Sequence, residues 1–339
     1  MKDSTFCASI FGDCAMRIAS DSKWGMLLTL IESSNNKIVP IGNEAAEFYI
    51  AIDHSKKNLA DIEDLIPVKN RILILREPRT VRPDQYRSRT AQSYGTILSC
   101  APQMDKNFAT HTYLDGYISL SIQQNINIRS VRESICMINE NKFSLHLMSK
   151  YSLRQKALEK LAETGISIDV AGRNWERGYL FYFIEQFKSV LMLINARSRI
   201  DFHQLRSPIS KKLIHRINFI GYVENQREFL SRHNFVLIIE NDFSFPTEKI
   251  FNAIDAGCIP IYFGPAIVEE ELPSNSYLRI THIDQLVGLL RITESLSMTE
   301  IHRMSEFGQL WIRSDSALTR WTEWASINSI WQQLEAIYS

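Results

Sequence analysis

The feature that most constrains the fold is the repeated alternation of short apolar runs with polar or amphipathic stretches of helix length. The apolar runs of the first half are Phe48–Asp53, Arg71–Leu75, Gly95–Cys100 and Tyr117–Ile122. Strands that alternate with helices are typical of βαβ units around a parallel sheet. The pattern therefore predicts an α/β fold.

The second half repeats this alternation with clearer helix boundaries. Lys142–Met148 alternates apolar and polar residues and is predicted to be a strand. Ser152, with Gln155 three residues later, is predicted to cap the next helix, and Gly165 to end it. The other predicted elements are strands at Ile166–Gly172, Phe235–Ile239 and Cys258–Phe263, and helices at Glu224–Arg232 and Thr247–Ala256.

The length of the chain indicates two domains. A single hydrophobic core rarely grows beyond roughly 250–300 residues, and this chain has 339. The polar segment at 139–142 is turn-prone, so the predicted domains are 1–140 and 141–339. The second domain includes a helical C-terminal stretch, Ser316–Ser339, whose tryptophans are predicted to pack rather than to stack on a ligand.

Charge and cysteine content disfavour several kinds of protein. Lys plus Arg and Asp plus Glu number 38 each, whereas a phosphate-backbone binder normally carries a basic excess. We therefore expect no nucleic-acid partner. The five cysteines are widely spaced and form no Cys-x-x-Cys pair, which indicates neither a disulfide framework nor a zinc site. Reduced thiols of this kind favour a cytoplasmic location.

Membrane segments are not expected either. The first residues show no basic patch followed by an apolar core of the signal-peptide type. The most apolar long stretch, 179–196, is interrupted by Glu185, Gln186 and Lys188, which disfavours a membrane span. A peripheral contact with the inner face of a membrane stays open.

The segment with the strongest chemical signal is Phe235–Gly264. An apolar strand ends at Glu240 and Asn241, and a short loop leads to a predicted helix that begins near Thr247. The first turn of a helix favours anions because its N–H groups are unpaired, and Lys249 adds a positive charge there. In open α/β sheets, ligands bind beyond the carboxyl ends of the strands. A carboxylate and an amide for sugar hydroxyls, beside a phosphate-binding turn, suit a nucleotide diphosphate sugar.

The same spacing also has a purely structural interpretation. Glu248 could complement the helix dipole, Lys249 could be a solvated charge, and Glu240-Asn241 could form a turn. Spacing alone favours neither interpretation.

A family resemblance distinguishes them. The segment resembles the signature of the α-1,3/4-fucosyltransferase family (glycosyltransferase family 10), in which Phe-x-Leu-x-Phe-Glu-Asn, a loop, Thr-Glu-Lys and Ala-Gly-x-Val-Pro-Val-x-x-Gly follow in order. The residues that match are Phe235, Leu237, Glu240, Asn241, Thr247, Glu248, Lys249, Ala256, Gly257, Pro260 and Gly264. The resemblance extends from Leu73 to about Ile280, and the first 68 residues match weakly. The chain resembles a divergent, bacterial-type member.

The loop before Thr247 departs from the family pattern. It is shorter, and Ser244-Phe245-Pro246 stands where the family has Asp-Tyr-Val. One tyrosine hydroxyl that would contact the donor is therefore absent.

The resemblance implies a fold, a reaction and a set of site residues. The expected architecture is two Rossmann-like, GT-B-like domains with a cleft between them, with the acceptor in the first domain and the donor in the second. The expected reaction is inverting transfer of fucose from GDP-fucose to a glycan hydroxyl, with no cofactor and no metal. The implied general base is Glu77. The implied donor-binding residues are Lys150, Arg154, Glu240, Asn241, Thr247, Glu248 and Lys249.

Two other functions are kept as alternatives. A glycosyltransferase of the same architecture could use another nucleotide sugar, since the loop at 242–246 is altered. A non-catalytic two-domain sugar-binding protein would also have two α/β halves.

Overall fold

The protein is described from a computed structural model that covers residues 3–20, 22–100, 110–113, 115–118 and 133–338. It divides into two compact units, one of residues 1–120 with 319–339 and the other of residues 121–318.

Unit 1 is built on a seven-stranded sheet. Its elements before the second unit are β1 (Thr5–Ile10), β2 (Asp13–Cys14), α1 (Lys23–Ser33), β3 (Lys37–Val39), β4 (Phe48–Ile52), α2 (Lys56–Ala60), β5 (Arg71–Leu75), α3 (Ser88–Gln92), β6 (Thr96–Ser99) and β7 (Thr110–Thr112). The strand order is β2-β1-β4-β5-β6-β7, and β3 also pairs with β1. All pairs are parallel except β1 with β2.

Unit 2 contains a six-stranded, fully parallel sheet. Its elements are β8 (Glu133–Ile138), α4 (Tyr151–Glu163), β9 (Ile168–Ala171), α5 (Tyr179–Asn195), α6 (Lys211–Ile214), β10 (Ile217–Gly221), α7 (Gln226–Ser231), β11 (His233–Ile239), α8 (Glu248–Asp255), β12 (Ile259–Phe263), α9 (Ile267–Glu271), β13 (Leu278–Arg279), α10 (Gln285–Glu294) and α11 (Met298–Ile312). The strand order is β10-β9-β8-β11-β12-β13, and all seven residues of β11 are buried.

The chain then returns to unit 1 through α12 (Asp315–Trp321) and α13 (Glu323–Tyr338). Ile327, Ile330, Trp331 and Leu334 of α13 join the core formed by α1 and one face of the unit 1 sheet. Trp321 is also buried, while Trp324 is 43% exposed, so packing accounts for two of the three C-terminal tryptophans.

The division differs from the predicted domains at 1–140 and 141–339. β8 precedes the predicted boundary, yet it pairs with β9 and β11 in the unit 2 sheet. The last helix belongs to unit 1 because its apolar face covers that unit's sheet. Both assignments depend on contacts with segments that are distant in the sequence. The polar segment after β8, which was predicted to be a domain linker, is a loop at the end of a strand.

Two local predictions were wrong. Lys142–Met148 is a loop with one isolated bridge at His146, and it does not join the sheet. Leu147 and Met148, which a strand would have packed against the core, are exposed. The following helix begins at Tyr151, and the Ser152 hydroxyl bonds Gln204 instead of capping it. The predicted strand Tyr117–Ile122 lies outside the described residues from position 119 onward.

The α/β class with two mainly parallel sheets was predicted correctly. Within the described residues, no helix is both long and apolar enough to cross a bilayer.

Candidate functional site

The strand order of unit 2 reverses between β8 and β11. From β8 the chain adds β9 and β10 towards one edge of the sheet, and then β11, β12 and β13 towards the other. In sheets of this order, ligands bind outside the carboxyl ends of the strands at the reversal. Glu240 and Asn241 follow β11 directly at this point, and Asn139 and Asn141 follow β8.

Glu240 fixes the start of α8. Its side chain is fully buried; Oε1 accepts a hydrogen bond from the Thr247 backbone N–H at 3.0 Å, and Oε2 accepts one from the Thr247 hydroxyl at 2.8 Å. The Tyr262 hydroxyl lies 3.4 Å from Oε1, and burial raises the pKa of Tyr262 well above its usual value. A Cβ at Gly264 would lie 2.7 Å from the Glu240 Cγ, so glycine is needed beside this carboxylate. Both oxygens of Glu240 are therefore engaged by residues at the start of α8 and by Tyr262.

The N-terminus of α8 lacks a side-chain cap. Thr247 is the N-cap residue, but its hydroxyl donates to Glu240 and accepts from the Lys249 Nζ at 2.7 Å. The first-turn N–H groups of Glu248 and Lys249 thus receive no acceptor from the capping side chain. Glu248 is 49% exposed, and Lys249 lies 3.5 Å from Glu240. Uncapped N–H groups beside an ammonium form a site suited to an anion.

Asn241, Lys150 and Arg154 connect the start of α4 to the end of β11. The Arg154 Nε and Nη2 donate to the Ile239 carbonyl at 3.1 and 2.8 Å, and Nη2 also donates to the Asn241 Oδ1 at 2.7 Å. The Lys150 backbone N–H donates to the Asn241 carbonyl at 2.9 Å, and its Nζ lies 5.2 Å from the centre of the Phe243 ring. Arg154 is 3% exposed, and its burial lowers the pKa of the guanidinium. Its positive charge is therefore held at the strand end with little solvent to screen it.

Arg206 belongs to the same cluster and was not found from the sequence. Its Nη1 donates to the Asn141 Oδ1 at 3.2 Å and to the Tyr151 carbonyl at 3.3 Å, while the guanidinium lies 4.2 Å from the centre of the Phe143 ring. Burial lowers its pKa to about 10. Only the fold brings Arg206 to the start of α4, and no local motif marks it.

Glu77 lies in unit 1, two residues after β5, and is half-buried. Its backbone is held on both sides: the N–H donates to the Asp53 Oδ1 at 3.3 Å, and the carbonyl accepts from the Tyr86 hydroxyl at 2.9 Å. The predicted position at a strand's carboxyl end is the observed one. The structure gathers the seven predicted donor residues in unit 2, and Glu77 belongs to the other unit.

Asp53 is a second residue that sequence reasoning missed. It follows β4, is 1% exposed and adopts a positive φ of 59°. Its Oδ1 accepts from the backbone N–H groups of Arg76 and Glu77 and, at 2.9 Å, from the Gln85 amide. Its Oδ2 is buried and has no hydrogen-bond partner among the residues that the structure describes. The sequence signal is an aspartate at the end of the apolar run Phe48–Asp53, where the pattern predicts a strand residue.

His54 lies beside this carboxylate. Its Nδ1 is 2.9 Å from the Tyr94 hydroxyl, and its carbonyl accepts from Arg82, which pairs with Asp84 at 3.1 Å. Burial lowers the pKa of His54. Burial therefore favours the neutral form of this imidazole.

Metal-ligating side chains are not clustered in the part of the chain that the structure describes: no group of three or more His, Cys, Asp or Glu residues is placed to hold an ion.

Comparisons with known proteins give short sequence matches. No family model matches the chain. It is 45% identical over 51 residues to an alpha-(1,4)-fucosyltransferase of Arabidopsis thaliana and 38% identical over 66 residues to an alpha-(1,3)-fucosyltransferase of Helicobacter pylori. These stretches cover 14% and 19% of this chain, and only 13% and 14% of the two relatives.

Similarity to solved structures extends over almost the whole chain. A crystal structure of an alpha1,3-fucosyltransferase with GDP-fucose matches 99% of this chain and 90% of that chain, with a TM-score of 0.55 at 13% identity. Anabaena Alr3699/HepE in complex with UDP and glucose matches 99% of this chain and 100% of that chain, with a TM-score of 0.54 at 9% identity. The chain has the fold of these transferases. At such identities the likeness concerns the fold alone.

Proposed function

We propose that this chain is an inverting glycosyltransferase that moves fucose from GDP-fucose to a hydroxyl of a glycan. The observation that carries the proposal is the uncapped N-terminus of α8 with Lys249 in its first turn, at the strand reversal of unit 2. The short matches to two fucosyltransferases support fucose as the transferred sugar. The likeness to a structure that holds GDP-fucose supports the donor.

Unit 2 would hold the donor. The pyrophosphate accepts hydrogen bonds from the first-turn N–H groups of α8 and from Lys249, while Arg154 and Lys150 add positive charge from the start of α4. Glu248, half-exposed in the same turn, would accept hydrogen bonds from hydroxyls of the ribose or the sugar. Glu240 and Asn241 would keep these groups in place through their hydrogen bonds to Thr247 and Arg154.

Unit 1 would supply the acceptor side and the base. The acceptor hydroxyl attacks the anomeric carbon, the bond from that carbon to the diphosphate oxygen breaks, and Glu77 takes the hydroxyl proton. The leaving diphosphate carries the developing negative charge, which fixed positive groups stabilise more than they stabilise the bound donor. One displacement of this kind inverts the anomeric centre.

Fixed protein charge can serve this reaction without a divalent ion. Lys249, Arg154, Lys150 and the start of α8 provide it at one place. We expect turnover to survive excess EDTA, measured with and without added manganese. Complete loss on chelation with full rescue by manganese would show that an ion carries the charge instead; partial stimulation by manganese would leave the proposal standing.

The cellular setting is part of the proposal. The five cysteines are widely spaced and form no Cys-x-x-Cys pair, which supports a reducing, cytoplasmic location. We propose a bacterial-type glycan or its lipid-linked precursor as the acceptor, and a peripheral contact with the inner membrane face.

A panel of nucleotide sugars tests the reaction directly. GDP-fucose should be hydrolysed slowly without an acceptor, and GDP should raise the melting temperature more than UDP or CMP does. A stronger response to UDP would favour the alternative, a transferase with another donor, which the altered loop at 242–246 allows. Stabilisation by free sugars alone would favour a binding protein.

A further inference from the structure

Helix α5 presents an apolar face to solvent. Only three of its 17 residues are buried: Tyr182, Ser189 and Leu193. The large apolar side chains that it exposes are Tyr179 (75%), Leu180 (73%), Phe183 (67%), Ile184 (40%), Phe187 (54%), Leu191 (50%) and Ile194 (59%). This is the reverse of an ordinary surface helix, whose outer face is polar.

The exposed side chains form one continuous stripe. At 3.6 residues per turn, the seven positions fall within an arc of about 140° and extend along about 22 Å of the helix. Phe183 and Phe187, one turn apart, stack with ring centres 6.3 Å apart. With about 200 Å² for a side chain of this size, the stripe exposes on the order of 800 Å². The largest apolar patch on a typical monomer is roughly 300–600 Å².

Two segments bonded to α5 carry further exposed apolar side chains. The backbone of Leu145 donates to the Ser189 hydroxyl at 2.8 Å, and Leu147 and Met148 follow, 50% and 40% exposed. The backbone of Arg206 donates to the Gln186 side chain at 2.6 Å. Phe202 and Leu205, just before it, are 63% and 52% exposed.

The charges around the stripe are mainly basic. Exposed arginines stand before the helix, at 173 and 177, and after it, at 197 and 199. The helix itself carries two charged residues, Glu185 and Lys188, which pair at 2.6 Å. Within 173–199, Glu176 is the other acidic residue. The apolar stripe thus lies between two basic ends and contains no acidic residue.

We propose that α5 is an interfacial helix that docks unit 2 on the surface of a bilayer containing anionic lipids. Apolar and aromatic residues on one face with flanking arginines are typical of helices that lie in the headgroup region. A second copy of the chain fits less well, because pairing two such helices would bring their basic ends together. The inference extends the peripheral contact proposed above, but it does not require the transferase activity.

The docking face and the donor residues share a scaffold. On the inner side of α5, the Tyr182 hydroxyl accepts from the Asn141 amide at 2.9 Å, and the Asn141 Oδ1 accepts from Arg206. A bilayer bound at α5 would therefore lie against the element that supports the anion-binding cluster of unit 2. A lipid-linked acceptor is the substrate class that gains from this placement.

Vesicle flotation of the full chain tests the proposal. The protein should float with vesicles of phosphatidylcholine containing about 30% phosphatidylglycerol, and bind pure phosphatidylcholine several-fold more weakly. Phe183→Ser with Phe187→Ser should reduce binding at least tenfold, since both rings lose their apolar contact with lipid. Arg177→Gln with Arg199→Gln should reduce binding to the anionic vesicles alone.

Ile292→Ser with Leu310→Ser is the matched control, because these residues of α10 and α11 are similarly exposed, at 59% and 52%. It should float like the wild type. GDP thermal shifts, measured on every variant, should not change, so loss of vesicle binding is separated from loss of the donor site. Equal flotation of the phenylalanine and control variants, or no flotation of the wild type, overturns the proposal. A dimer in sedimentation that Phe183→Ser abolishes would assign the face to a second copy instead.

Discussion

Units 1 and 2 each place a buried carboxylate directly after a parallel strand, but they use it differently. Glu240 follows β11, and both of its oxygens accept hydrogen bonds from the start of α8. Asp53 follows β4; one oxygen accepts three hydrogen bonds from the loop that carries Glu77, and the other is buried without a partner in the described part of the chain. A buried carboxylate at a strand end can therefore serve to hold the following loop in place, and it need not contact a ligand.

The largest difference between the two regions should appear in catalysis. Glu77→Gln keeps the shape of the side chain but removes the base, so turnover should fall by roughly 10²–10⁴ while GDP binding is unchanged. Steady-state transfer assays and GDP titration measure the two effects. Glu44→Gln, an exposed carboxylate of the same unit, is the control and should behave as the wild type. Normal turnover of Glu77→Gln would remove the base assignment.

The two buried carboxylates should respond differently to neutralisation. Glu240→Gln turns an amide N–H₂ group towards the Thr247 and Lys249 donors, so we expect a loss of about 2–3 kcal/mol in the free energy of local opening. Asp53→Asn should change it by less than about 1 kcal/mol, because the amide carbonyl can still accept, no buried charge is left, and asparagine tolerates positive φ.

Hydrogen exchange measures local opening separately at the two sites. The amides of α8 report on Glu240, and the amides around Arg76 and Glu77 report on Asp53. Equal losses of protection at the two sites would break the comparison, because they would mean that the loop at Asp53 depends on its carboxylate as strongly as the start of α8 depends on Glu240.

A smaller effect should come from pH, through His54 in unit 1. Burial lowers the pKa of His54 in the fold below its unfolded value of about 6.5. The unfolded chain therefore binds the proton first, and the stabilisation is complete above about pH 6.5 and is lost as the pH falls below it. Melting temperatures between pH 7.5 and 5.5 should fall less steeply in His54→Asn than in the wild type. Parallel curves would show that His54 does not titrate on unfolding.

Sequence reasoning succeeded where the information was contiguous. Hydrophobic periodicity and continuous apolar runs predicted the bounds of β5, β11, α8 and β12 to within two residues, because each element is buried against or within a parallel sheet. The order Glu240, Asn241, Thr247, Lys249 lies within ten residues, so the cluster could be predicted to meet at one strand end. What stays a prediction is the role of each residue with a ligand.

The sequence could not show contacts between distant segments. Arg206 reaches Asn141 across 65 positions, and Asp53 reaches Glu77 across 24, with no motif that links the two members of either pair. The boundary prediction failed for the same reason, because β8 and α13 join their units through packing with remote strands. The outward apolar face of α5 was visible as a hydrophobic stretch, but only burial distinguishes an exposed face from a core helix.

The central claim is that the start of α8 binds the diphosphate of the donor. Isothermal titration of GDP into the wild type and Lys249→Ala tests it most directly, with Lys211→Ala, an exposed lysine of the same unit, as the control. Losing one charge-assisted hydrogen bond of about 1.5–3 kcal/mol should weaken GDP binding roughly 10- to 150-fold in Lys249→Ala and leave the control unchanged. Equal GDP affinity in all three proteins would contradict the claim.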